Sequence, residues 1–128
     1  YLGTEKIQNT QVKVPYFAHT QVKKVKEIQK YMVSNLRQHY TLEQLSEQFD
    51  IPLTSMKACF KGVFGCSIYA YIKSYRMQAA TVLLQNSDCS ITEIAMKMGY
   101  DNPSKFSEVF KKEYEMTPSE FRKKYIKA

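Results

Sequence analysis

A chain of 128 residues with four glycines and four prolines is long enough for one core or two small ones without metal or disulfide staples, and its runs of Lys, Gln, Glu, Leu and Met favour helix. No stretch approaches the roughly 18 apolar residues of a membrane span and no signal peptide opens the chain, so a soluble protein is expected. Nineteen basic residues against twelve acidic leave +7, a surplus compatible with a polyanionic partner but shared by many proteins that bind none.

Residues 1–19 have no period, contain Gly3 and Pro15, and read as a linker or arm. A first helix is predicted over 20–38, with Val22, Val25, Ile28, Met32 and Leu36 inward and Lys23, Lys24, Lys26 and Lys30 on a solvated face. Thr41 and Gln44 form a capping box before a short helix over 42–49. The long helix of about 67–85 carries Ile68, Tyr71, Ile72, Tyr75, Ala79, Val82 and Leu83 in one stripe and is roughly 25 Å long. Ser90 and Glu93 form a second capping box, ahead of a helix over 91–98 with Ile91, Ile94, Ala95 and Met98 apolar. Gly99 suits a left-handed stop, and Asn102 with Pro103 opens a helix on which Phe106 and Phe110 share a face. Thr117, Pro118 and Glu120 start the last helix.

The chain repeats itself. At an offset of 50, "MKACFKGVFGCSIYAYIKSY" (56–75) lies over "FSEVFKKEYEMTPSEFRKKY" (106–125), pairing Phe60 with Phe110, Lys61 with Lys111, Tyr71 with Phe121 and Tyr75 with Tyr125. Upstream, "LEQLSEQF" (42–49) matches "ITEIAMKM" (91–98) at an offset of 49, so the second copy holds one extra residue in its turn. Two short helices meeting around a small residue, Ser46 in one copy and Ala95 in the other, form a helix-turn-helix, whose second helix lies in the DNA major groove. A solvated helical hairpin is the alternative for one copy; two copies on a long spacer argue against it. Such a spacer could set two recognition helices in successive grooves about 34 Å apart.

The stretches "YTLEQLSEQFDI", "FKGVFGCSIYAYIKSYRMQAATVLLQ" and "ITEIAMKMGYDNPSKFSEVFKKEYEMTPSEFRKKY" resemble the DNA-binding domain of the AraC/XylS family of bacterial transcription regulators, over residues 22–125. The resemblance implies an all-α fold with two helix-turn-helix subdomains joined by a linker helix, about seven helices in all. It places a first lobe at about 20–66, the linker helix at about 67–85 and a second lobe at about 86–128. It further implies promoter DNA as partner, usually activation through contact with RNA polymerase, and a cytoplasmic setting.

Carried over by position, Thr54, Ser55, Lys57 and Ala58 face the bases from the first recognition helix, and Pro103, Ser104, Lys105, Ser107 and Glu108 from the second. Glu108 could accept from a cytosine amino group and Lys57 donate to guanine. Lys61, Arg76, Lys111 and Lys112 are candidates for phosphate, with Arg76 also readable as the buried partner of a carboxylate. Two departures stand out: Pro52 replaces a common Ser cap, and Ser46 a usual Ala. Ala58 offers no hydrogen bond, so the first lobe is expected to read DNA by methyl contact or shape, or hardly at all.

Cys59, Cys66 and Cys89 lack a CxxC pair and close His partners, so no metal site or cofactor is expected; all three read as buried small apolar residues in a reducing compartment. His19 and His39 have no plausible nucleophile partner and no Gly-rich phosphate loop appears, which argues against an enzyme. A helical protein-interaction module is the remaining alternative. The chain opens without Met at a linker-like segment, and family members commonly carry a sensor and dimerisation domain upstream; effector binding and dimerisation are expected there.

Overall fold

Seven helices account for the regular structure of the computed structural model, which describes residues 17–126. They are α1 (His19–Val33), α2 (Leu42–Gln48), α3 (Leu53–Phe64), α4 (Ile68–Asn86), α5 (Ile91–Lys97), α6 (Pro103–Tyr114) and α7 (Pro118–Tyr125). Residues 1–16 of the predicted arm lie outside the described residues, but Phe17 is packed on the first core and His19 already begins α1. Gly62 makes room for that ring, since a Cβ there would stand 2.8 Å from Phe17 Cε2.

All three capping boxes form. Thr41, Ser90 and Thr117 each accept from the backbone N–H three residues on, and Gln44, Glu93 and Glu120 reach back to the cap N–H. These reciprocal bonds satisfy donors that a helix start otherwise leaves open, each cap contributing about 1 kcal/mol. They also hold the Glu93 and Glu120 carboxyls below the usual carboxylate range, because the ionised form accepts the bond from Ser90 or Thr117. Pro52, at the start of α3, makes no such side-chain bond.

Helix α1 stops at Val33, not at residue 38. Ser34 Oγ donates to the Tyr31 carbonyl at 2.7 Å, and Ser34 and Asn35 N–H turn back to Lys30 and Met32, so polar side chains and tightened turns outcompete another helical turn. The freed segment 34–41 becomes a loop.

The turn between α2 and α3 is one residue shorter than that between α5 and α6, as the two offsets require. The repeat extends to backbone angles. Gly99 (φ 86°) stops α5 where Asp50 (φ 52°) follows α2, and Gly65 (φ 83°) ends α3 where Glu115 (φ 62°) ends α6. A left-handed conformation costs an L-residue about 1–2 kcal/mol. Glu115→Gly should therefore stabilise the second lobe by up to about 1 kcal/mol, after allowing for glycine's greater freedom in the unfolded chain. Urea denaturation checks this; a lower midpoint would mean that the Glu115 side chain contributes more than its backbone costs.

Two cores flank α4. Val25, Ile28, Met32, Leu45, Met56, Cys59 and Phe60 build the first, and Ile94, Ala95, Met98, Phe106, Phe110 and Phe121 the second. Their aromatic clusters superpose in kind. Phe60 meets Tyr71 edge-on at 5.6 Å and 83°, and Phe110 meets Phe121 at 5.5 Å and 83°. Phe60–Phe64 and Phe110–Tyr114 lie at 4.5 and 4.8 Å.

The single apolar stripe expected on α4 is corrected. Ile68, Tyr71 and Ile72 pack into the first core and Ala79 and Leu83 against the second, but the fully buried residues of the second core, Met77, Ala80 and Leu84, lie off that stripe, while its Tyr75 and Val82 are exposed. At 100° per residue the buried residues of the two cores, Ile68 and Ile72 against Met77, Ala80 and Leu84, point roughly 130° apart, so the lobes bury different faces of one helix. Its 19 residues span about 28 Å. At its far end Arg122 of α7 donates to the Leu83, Leu84 and Ser87 carbonyls, closing the helix C-terminus. Of the cysteines only Cys59 is buried, and burial pushes its thiol up; Cys66 and Cys89 sit half-buried in connections between helices.

Candidate nucleic-acid interface

Burial divides each second helix of the two motifs into a gripped face and an offered one. In α3, Met56, Cys59 and Phe60 are fully buried, Thr54, Lys57, Ala58 and Lys61 are exposed, and Ser55 is half-buried. In α6, Phe106 and Phe110 are fully buried, whereas Ser104, Lys105, Glu108, Lys111 and Lys112 are exposed; Pro103 and Ser107 are half-buried. The offered residues recur at the same helical positions because the phenylalanines that anchor each helix recur at an offset of 50.

Helix α6 begins with its amides already occupied. Asn102 Oδ1 accepts from Ser104 N–H at 2.9 Å and Lys105 N–H at 3.4 Å, which leaves side chains, not free backbone donors, on offer at that end. Lys105 Nζ and Glu108 Oε1 stand 3.7 Å apart one turn along. Both are exposed, so the pair contributes little to stability and can open toward base edges. It also puts one donor and one acceptor side by side, a mixed pattern that suits the major groove better than a uniform phosphate track.

Arg76 does not join this surface, and its assignment to phosphate is corrected. It is 9% exposed at the middle of α4, with Nε donating to the Leu36 carbonyl at 3.0 Å and Nη2 to the Gln38 carbonyl at 2.8 Å. Nor is its partner a carboxylate. Burial works against its charge, and among the described residues its hydrogen bonds go to the two backbone carbonyls.

The sequence reading missed the 34–41 loop as a structural part. Leu36 is packed against both cores, and His39 Nε2 donates to the Gly99 carbonyl in the turn of the second lobe. A Cβ on Gly99 would stand 3.1 Å from the Leu36 and Arg37 carbonyl oxygens, so the glycine serves close approach as well as its left-handed φ. The one available signal was the short polar run "SNLRQH" interrupting the apolar period after Val33.

Two helix-turn-helix units on opposite ends and different faces of one helix, each with its second helix exposed, define a tandem helix-turn-helix domain of the DNA-binding type. The family model described as "Helix-turn-helix domain" matches residues 45–124. The transcriptional regulator ExsA of Pseudomonas aeruginosa is 35% identical over 98 residues, 77% of this chain and 35% of that protein. The C-terminal domain of the two-component response regulator yesN from Fusobacterium nucleatum is 31% identical, with a TM-score of 0.70 over 76% of this chain and 95% of that one. The DNA-binding domain of AdpA, solved in complex with a target DNA, shares the fold at a TM-score of 0.74 and 21% identity, over 79% of this chain and 91% of that one. The chain belongs to the AraC/XylS family of transcription regulators. It spans two fifths or less of the length of the first curated relatives it matches.

Proposed function

We propose that this chain is the sequence-specific DNA-binding domain of a bacterial transcription activator that lays α3 and α6 into successive major grooves of promoter DNA. The observation that carries the reading is the duplicated helix with a buried aromatic face and an exposed donor and acceptor face. In this reading Ser104, Lys105, Ser107 and Glu108, beside Pro103, meet base edges, and Thr54, Ser55, Lys57 and Ala58 hold the equivalent places in the first lobe. Lys61, Lys111 and Lys112 contact phosphates, giving affinity without sequence information. Activation through RNA polymerase, dimerisation through a further domain and action in the cytoplasm belong to the same proposal. Among the described residues no helix is long and apolar enough to cross a membrane.

The test separates reading from holding. Sites selected from a random DNA library supply the operator, and variants then compete for a panel of single-base changes. Glu108→Ala should alter the preferred base at one position, with about 1–3 kcal/mol of discrimination lost; Lys111→Ala should weaken all sequences alike and lower the salt slope by about 1. If Lys111→Ala changes base preference while Glu108→Ala changes none, α6 lies in the groove the other way.

A further inference from the structure

Reading two grooves at once requires that the recognition helices keep one distance and one rotation, and α4 alone supplies that incompletely. The first lobe grips α4 mainly through Ile68 and Ile72, its first two turns, and the buried face changes beyond Arg76. A lobe held by so short a segment can rock about it. The structure adds a brace at that point. Arg76 falls four residues after Ile72, on the same side, and its two directional bonds hold the backbone of the 34–41 loop at Leu36 and Gln38. From the other lobe, the Gly99 turn seats against the carbonyls of Leu36 and Arg37, and its own carbonyl accepts from His39. Leu36 places one side chain against both cores. One loop of the first lobe is thus tied at once to the middle of the linker helix and to the turn that leads into α6.

We infer that this brace fixes the pitch between α3 and α6, so that Arg76 and His39 are positioning residues that set which half-site spacing the chain accepts without themselves touching DNA. The inference rests on the DNA-binding reading above. Its consequence is sharp because DNA is helical: adding one base pair between half-sites moves the second by about 3.4 Å and turns it by about 35°. A braced pair of lobes cannot follow both changes. An unbraced pair can follow part of them.

Two kinds of measurement on the whole chain test it. With operators selected as above, the parent should lose about tenfold in affinity when one base pair is inserted or deleted between half-sites, while His39→Ala and Arg76→Lys should reduce that penalty to about threefold or less. Contacts within each half-site remain, so base preferences should not move. His39→Gln, whose amide can donate to the Gly99 carbonyl, should restore the parental penalty. Residual dipolar couplings without DNA give the second reading. The lobes of the parent should share one alignment tensor, and those of His39→Ala and Arg76→Lys should align differently, with each core's own couplings unchanged. His39 is exposed, so its variant folds even if the Arg76 variant does not. Parental spacing penalties in His39→Ala, a common tensor in that variant, or a parent that selects only a single half-site would each overturn the inference. If the parent binds no DNA, the spacing role falls with the DNA-binding reading, and the couplings alone still decide whether the brace holds the lobes together.

Discussion

Phe110→Ala is expected to destabilise the second lobe by about 3–5 kcal/mol, the range for truncating a buried phenylalanine in a core that cannot collapse around the gap. Phe110 is fully buried, and its ring meets Tyr114 at 4.8 Å, Phe121 at 5.5 Å and Phe106 at 6.0 Å. Such aromatic pairs add about 0.5–1.5 kcal/mol each beyond the area they bury, so the variant loses geometry as well as surface. Because this ring packs α6 against Phe121 of α7, both helices lose a packing partner. Thermal melting should show the second lobe melting by more than about 10 °C earlier, since each kcal/mol shifts a small domain by about 4–8 °C. A shift of only a degree or two would place Phe110 outside the cooperative core.

Binding to the selected operator should weaken steeply with salt. With Arg76 buried, Lys61, Lys111 and Lys112 remain as the named phosphate candidates, alongside other exposed lysines of the +7 chain. Neutralising about 4 phosphates gives a slope of log K on log salt near −3.6, or about a hundredfold loss between 50 and 200 mM. Each exposed lysine releases counterions only when it reaches the backbone, so the slope counts contacts that a sequence cannot. Titrations at several salt concentrations measure it. A slope near zero would sink the DNA-binding reading, and one near −6 would add the lysine face of α1, where Lys23, Lys26 and Lys30 are exposed, to the interface.

Capping boxes and the aromatic repeat were legible in the sequence because both are local or periodic. Thr41 with Gln44 involves residues three apart, and Phe60 with Phe110 declares itself by internal comparison. From these follow three helix starts, the two motifs and the buried face of α6; the count of seven helices came from the family resemblance. Residues at Asp50 and Glu115 hid their left-handed angles, since only the Gly99 and Gly65 counterparts carry the residue type that signals them.

Tertiary structure decided what lies between the lobes. Periodicity runs straight through α4 and predicted one stripe, because a helix read alone has one best face; two cores packing roughly 130° apart around it split that face and left Val82 in solvent. Arg76 shows the same limit more plainly. A cation in a basic chain reads as a phosphate ligand, but its partners are the backbone carbonyls of Leu36 and Gln38. Every residue carries a carbonyl, so no side-chain pattern marks which two a folded loop will bring within hydrogen-bond distance of a guanidinium some 40 residues away.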